Sequence, residues 1–267
     1  MARLIELIFF GGLLYWVFVR WNQKNQPNTQ ENEISKVPPE AVHIEEMVAC
    51  DTCRLMLPMS EALISQGRHY CEPGHINRIN SQGWLGSARW VRSPNFDQRP
   101  SDMKVDMIVI HHISLPQGQF GGSEIEDFFC NRLDPKADPF FETIAHLKVS
   151  SHFLIRRQGE LVQFVSCAER AWHAGLSSFQ GRQRCNDFSI GIELEGNGET
   201  PYENAQYEAL AQLTRILKES YPLQHIVGHS DIAPGRKTDP GLSFDWCKYA
   251  QMTQLKPVEL PFGVSLR

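Results

Sequence analysis

The sequence predicts an α/β protein with a mixed central β-sheet flanked by helices, preceded by a small cysteine-rich module and an apolar N-terminal helix. Three observations carry this. Short β-branched runs at residues 105–110 (VDMIVI) and 188–194 (FSIGIEL) read as buried strands, and a helical pattern follows at 203–220. Three cysteines and a histidine cluster within residues 50–75. Residues 4–19 read LIELIFFGGLLYWVFV, with Glu6 as the single charge.

Composition narrows the function classes. At 42% hydrophobic and 21% charged, the 267-residue chain is a folded protein rather than a disordered one. Its 26 basic residues against 31 acidic ones give a net charge of −5. That balance lacks the basic excess of an electrostatic nucleic-acid binder. Seven cysteines, an odd number, argue against a fully paired disulfide framework. Ten histidines, several near Asp, Glu or Cys, make metal chemistry the first thing to look for.

As a helix, residues 4–19 would span about 24 Å, against a hydrocarbon core of about 30 Å. Arg3 and Arg20 can snorkel, and Trp16 and Trp21 suit an interface. The following WNQKNQPN has no A-x-A-like cleavage site, so an uncleaved membrane anchor is expected over a signal peptide. Residues 22–46 are mostly Asn, Gln, Glu and Pro and read as a flexible linker.

Cys50-x2-Cys53 and Cys71-x3-His75 have the ligand number and bite of a structural zinc site. About 30 residues cannot support a core alone, so such a staple is expected. The arrangement resembles short zinc-knuckle modules that follow a single membrane helix in some small bacterial proteins. Thiolate ligands favour a reducing compartment. The expected placement is therefore the inner membrane, single-pass through residues 4–19, with the large domain facing the cytoplasm and a periplasmic orientation as the alternative. The module's protein partner is unknown. The expected domain order is an anchor at 1–21, a linker at 22–46, the Cys3His module at 47–77, the large α/β domain at 78–255 and a tail at 256–267.

In the large domain the first strand ends at His111-His112, whose side chains face opposite sides by alternation. Residues 151–155 and 161–165 read as a hairpin turning at Gln158-Gly159. Along 188–194, Ile190, Ile192 and Leu194 point one way, and Gly191, Glu193 and Glu195 the other. Carboxylates on so apolar a strand should line a cleft or meet a cation. The 203–220 helix places Tyr207, Leu210, Leu213 and Leu217 on one face and stops before Pro222. Ile226-Val227 then leads to Gly228-His229, and a Pro- and Gly-bounded loop carries Lys237 and Asp239. Two imidazoles and a carboxylate at element ends, with an open fourth position, describe a catalytic metal site. On spacing alone this is a metal hydrolase.

The segments GWLGSARWVRSPNFDQRP, VIHHISLPQGQFGG, IAHLKVSSHFLIRR, RAWHAGLSSFQGRQRCNDFSIGIELEG and GHSDIAPGRKTDPG together resemble the zinc-dependent N-acetylmuramoyl-L-alanine amidases, specifically the bacterial recycling amidases that act on 1,6-anhydro-muropeptides. The resemblance covers residues 83–246. It implies an amidase or peptidoglycan-recognition-like fold and a muropeptide substrate. It also implies a catalytic zinc held by His111, His229 and Asp239, beside Glu193 as the catalytic carboxylate and Lys237 next to the metal. Trp172, Arg184, Lys148 and His112 match substrate-contacting positions, with His112 and Lys148 standing where relatives usually carry Asn and Arg. His146, His152 and His173 fall in matching segments and read as supporting residues. Two rivals are a peptidoglycan-binding module without turnover and an amidase acting on intact cell wall from the periplasm. The complete ligand set argues against the first.

Overall fold

The computed structural model describes residues 2–25 and 45–264. Most of the expected linker, residues 26–44, and the last three residues of the tail lie outside the described residues. The chain divides into a unit at 1–44 and a compact unit at 45–267. The boundary drawn at 77/78 falls inside the second unit.

In the first unit, helix α1 runs over Ala2–Lys24. Its large apolar side chains from Leu13 to Phe18, and Trp21, are exposed, and the Arg20 guanidinium lies 4.8 Å from the Trp16 ring centre. No helix among the described residues is long and apolar enough to cross a membrane. This overturns the expected inner-membrane placement and leaves the expected anchor and membrane partner without support. The reason is physical: within its 23 residues α1 includes Arg3, Glu6, Arg20 and Lys24 as well as Asn22 and Gln23, so its apolar stretch is short of a bilayer span.

The second unit opens with two small hairpins. Strands β1 (Met47–Ala49) and β2 (Met56–Pro58) pair antiparallel, as do β3 (Leu63–Ser65) and β4 (Arg68–Tyr70), and helix α2 (Pro73–Ile76) follows. Cys50, Leu57 and Tyr70 form their small buried core.

The larger part is built on a six-stranded mixed sheet. Its strands are β5 (Arg89–Trp90), β7 (Met107–Ile113), β8 (Phe153–Ile155), β9 (Leu161–Gln163), β13 (Ser189–Glu195) and β14 (His225–Gly228), in the order β14-β7-β13-β8-β9-β5. The β14, β7, β13 and β8 strands run parallel, and β9 turns back against β8 through the predicted hairpin. Gly159 sits in that turn at φ 83°, a left-handed conformation glycine adopts without strain. Four two-residue strands decorate the sheet: β6 (Phe96–Asp97) pairs with β10 (Arg170–Ala171), and β11 (Ser178–Phe179) with β12 (Arg182–Gln183). Parallel strands need helical crossovers and burial on both faces. Helices α3 (Glu124–Phe129) and α4 (Pro139–Ile144) lie between β7 and β8, α5 (Asn204–Ser220) between β13 and β14, and α6 (His229–Ile232) and α7 (Trp246–Thr253) close the chain.

Alternation on the strands sorts the core into two layers. Ile108, Ile110, Ile190, Ile192 and Leu194 pack against Tyr207, Leu210, Leu213 and Leu217 of α5 and Trp246 and Tyr249 of α7. On the opposite face Met107 and Val109 meet Phe179, Phe188, Val227 and Ile232, while Leu154, Val162 and Phe164 meet the aromatic side chains of α3 and α4. The Nε2 amide of Gln206, at the start of α5, donates to the Glu195 carbonyl at 3.0 Å and pins this helix to the end of β13. The C-terminal ends of β7, β13 and β14 therefore open together. In open α/β sheets that edge is where ligands bind.

Candidate metal centre and active-site cleft

A cleft of about 420 Å³ opens over that edge. Its floor is polar. His111 leaves β7, Glu193 stands opposite it on β13, and His229 follows directly on β14 as the first residue of α6. Asp239 comes back on the loop after α6, where its carbonyl accepts from the Ser230 amide at 2.9 Å. All four residues are at most 8% exposed.

The three donor atoms converge. His111 Nδ1 lies 3.0 Å from His229 Nδ1 and 2.9 Å from Asp239 Oδ2, and His229 Nδ1 lies 3.0 Å from the same oxygen. The neighbouring groups fix where the ring protons sit. Ser189 donates its hydroxyl to the Cys185 carbonyl at 2.6 Å, which leaves its oxygen to accept from His173 Nε2 at 3.2 Å. His173 Nδ1 is then an acceptor, 2.9 Å from His111 Nε2. His229 Nε2 donates to the Ala174 carbonyl at 3.1 Å. Both inner Nδ1 atoms are thus left with lone pairs facing each other and a carboxylate oxygen. Burial, and then nearby His229, hold His111 down to about 4, so its ring is neutral near pH 7.

Such an arrangement repels itself unless a cation sits within it. Zinc bonded to nitrogen or carboxylate oxygen at about 2.0–2.1 Å sets tetrahedral donors about 3.3–3.4 Å apart, close to the spacing seen. Two neutral imidazoles and one carboxylate, with outer hydrogen bonds fixing the rings, are the donor set of a catalytic zinc site with one position open. The residues fit the ion.

Glu193 completes the floor. Its Oε2 is buried without a hydrogen-bond partner, and burial followed by the nearby Asp239 carboxylate raises its pKa well above the usual range, Lys237 opposing. A carboxyl that holds a proton so readily suits acid–base work. Gly191, two residues earlier on the same face, leaves room for the His173 ring: a Cβ there would lie 2.5 Å from His173 Cγ.

The remaining expected residues distribute unevenly. Lys237 is exposed and lines the cleft, as do His112 and Trp172. The Trp172 indole donates to Asp97 Oδ1 at 3.1 Å, and Arg170 clamps the same carboxylate. Lys148 is exposed between Leu147 and Val149, which line the cleft, but is not itself part of the lining. Arg184 also lies outside the lining and pairs with Asp187 at 3.2 Å. His146 is exposed outside the lining, and His152 is fully buried beside Arg99 at 3.0 Å. Sequence reasoning missed the cleft's apolar wall of Phe128, Phe140, Ile144 and Leu147. Phe140, Ile144 and Leu147 have the near-helical spacing of an ordinary core face, Phe128 stands on a different helix, and nothing in the sequence signals a wall.

Comparison with known proteins agrees with this geometry. Residues 101–242 match the N-acetylmuramoyl-L-alanine amidase family. Over 170 residues the chain is 56% identical to the 1,6-anhydro-N-acetylmuramyl-L-alanine amidase AmpD of Escherichia coli K12, covering 63% of this chain and 93% of the relative. The protein of the same name from Enterobacter cloacae is 57% identical over 172 residues, covering 64% and 92%. A crystal structure of a selenomethionine AmpD derivative superposes with a TM-score of 0.63 at 54% identity, covering 64% of this chain and 97% of that one. With the family match spanning more than half of its residues, this chain belongs to the N-acetylmuramoyl-L-alanine amidase family and is an enzyme of that activity.

Proposed function

We propose that this amidase is zinc-dependent and cleaves the amide between the lactyl group of 1,6-anhydro-N-acetylmuramic acid and the L-alanine of a stem peptide, a step of muropeptide recycling. The convergence of His111, His229 and Asp239 within 2.9–3.0 Å beside Glu193 carries this reading. The substrate follows from the AmpD relatives, whose names specify that amide.

His111, His229 and Asp239 would hold the zinc. In such a site zinc supplies Lewis acidity, acidifying water and polarising a carbonyl. Glu193 takes a proton from the attacking water at Oε2 and passes it to the alanine nitrogen as the C–N bond breaks. One positioned carboxyl can serve both steps. Its buried setting favours keeping that proton between them. The Lys237 ammonium balances negative charge building on the former carbonyl oxygen. The products are the free peptide and the anhydro sugar with its lactyl carboxylate.

Trp172 offers an indole face to the sugar and is held by Asp97. The wall of Phe140, Ile144 and Leu147, together with His112, lines the same cleft. Lys148, next to the lining residues Leu147 and Val149, is the cation we assign to a stem-peptide carboxylate, and Arg184 would have to exchange Asp187 for one.

The test is a comparison of purified full-length enzyme on anhydromuramyl-tripeptide and on intact sacculi. Rapid release of free tripeptide with little action on sacculi is expected. Equal or faster cleavage of sacculi would instead make this an amidase of the intact wall.

A further inference from the structure

Away from the cleft, a second group of ligand-type side chains comes together. The donor atoms of Cys50, Cys53, Cys71 and His75 all lie within 4.8 Å of one another. Cys71 Sγ is 3.1 Å from His75 Nδ1, Cys50 Sγ is 3.6 Å from the same nitrogen, and the sulfurs of Cys53 and Cys71 are 3.7 Å apart. None of the cysteines forms a disulfide. Zinc at about 2.3 Å from each thiolate would set two sulfurs about 3.8 Å apart.

Two further features point to an ion. Glu72 Oε1 lies 3.1 Å from His75 Nε2, so the outer nitrogen keeps its proton and Nδ1 turns its lone pair to the sulfurs. A carboxylate behind a ligating histidine is the usual outer partner in zinc sites. The turn after Cys50 also holds Arg54 at φ 65°, a left-handed conformation that turns the chain back so that the Leu55 carbonyl accepts from the Cys50 amide at 2.8 Å. The Arg54 amide donates to the Cys50 carbonyl at 2.9 Å.

The cluster does not hang free. Arg68, three residues before Cys71, donates to the Gly86 carbonyl at 2.6 Å and the Ala88 carbonyl at 2.8 Å, and its guanidinium lies 3.7 Å from the Trp90 ring centre. Tyr70 is fully buried against Gly86, where a Cβ would lie 2.7 Å from its hydroxyl oxygen. Asn80 donates to Asp51, between the first two cysteines, at 2.9 Å. Trp90 lies in β5, the edge strand of the amidase sheet, and Gly86 and Ala88 come just before it.

We propose that Cys50, Cys53, Cys71 and His75 hold a structural zinc ion that fastens residues 45–77 as a clasp onto the β5 edge of the amidase sheet. Three thiolates and one imidazole fill a tetrahedral zinc shell and leave no corner for substrate, so the role is structural. Arg68 occupies two backbone carbonyls next to that edge. This site is independent of the cleft chemistry, and the two can fail separately.

The experiment uses the purified full chain, with zinc and cobalt(II) as probes. Elemental analysis should find two zinc ions per chain in the parent, one in Cys53→Ser and one in Asp239→Ala. Cobalt(II) loading should give an intense thiolate-to-metal charge-transfer band that survives in Asp239→Ala and is lost in Cys53→Ser. Hydrogen exchange over residues 86–90 should rise in Cys53→Ser, with a Tm lower by roughly 5–10 °C. One zinc per parent chain, removed by Asp239→Ala and untouched by Cys53→Ser, overturns the site; so does a parent with no thiolate band. Because the parent's stoichiometry and spectrum decide the site by themselves, a Cys53→Ser chain that failed to fold would not rescue it. Unchanged exchange at 86–90 in a zinc-depleted, folded Cys53→Ser chain overturns the clasp.

Discussion

Glu193 and His111 are direct partners across the parallel ladder between β13 and β7, each at the C-terminal end of its strand and on the same face of the sheet. Sheet register alone thus sets the carboxyl beside the donor triangle. No loop has to close to bring them together.

That pairing separates two jobs, binding the ion and moving the proton. Glu193→Gln keeps the shape and leaves all three donors in place. It should retain the cleft zinc while kcat falls by about 10²–10⁴. Steady-state kinetics alongside metal analysis reads this directly, and near-normal turnover would reassign the base.

The donors themselves behave differently. Asp239→Ala or His229→Ala should lose the cleft ion and the activity together. His173→Ala removes the acceptor that orients His111, and should weaken zinc affinity by about 10–100-fold without abolishing binding. Competition with a chelator of known affinity measures both.

Lys237 lines the cleft and is exposed, so truncating it leaves little packing behind. Lys237→Ala should cost about 10²–10³ in kcat, the usual effect of removing one donor to a developing oxyanion, with zinc content unchanged. A change confined to KM would place this lysine in substrate binding instead.

A stability prediction concerns Glu126 on α3, which accepts from Arg89 at 2.8 and 3.0 Å and from Arg156 at 2.6 Å. The Arg89 hydrogen bonds hold its carboxyl below the usual value, burial opposes them, and Arg156 adds to the lowering. A depressed folded pKa stabilises the protein above the unfolded value of about 4.3, and that contribution is lost as pH falls through the folded value. Glu126→Gln should therefore cost about 1–3 kcal/mol at pH 7, with the gap narrowing below pH 4. Urea unfolding of both proteins at several pH values checks it; a gap independent of pH would mean that packing dominates.

What the sequence revealed tracks the length of each local signal. The β7 and β13 strands announce themselves through β-branched runs, and α5 through its repeating apolar face. The β8–β9 turn was legible because Gln158-Gly159 sits between two apolar runs, and Gly159 takes the positive φ there. Two-residue strands such as β5, β6 and β10 carry no periodicity, and the six-residue helices α3 and α4 are too short to show one. The predicted anchor failed on length: as a helix the apolar run over residues 4–19 spans about 24 Å, short of a hydrocarbon core of about 30 Å.

The cleft was legible where chemistry restricts residue type. Two imidazoles and a carboxylate at element ends stand out, whereas Phe140, Ile144 and Leu147 look like any helical core face. The contact of residues 45–77 with the sheet was equally hidden. It rests on Arg68 reaching backbone carbonyls 18 and 20 positions further along, and a carbonyl has no sequence signature.

The most direct test strips all metal from the purified chain and returns zinc in steps while free tripeptide is measured from anhydromuramyl-tripeptide. Turnover should be absent without metal and rise until the His111–His229–Asp239 site is filled, with no such recovery in Asp239→Ala. Full turnover by the metal-free chain, or equal recovery in Asp239→Ala, would contradict the account.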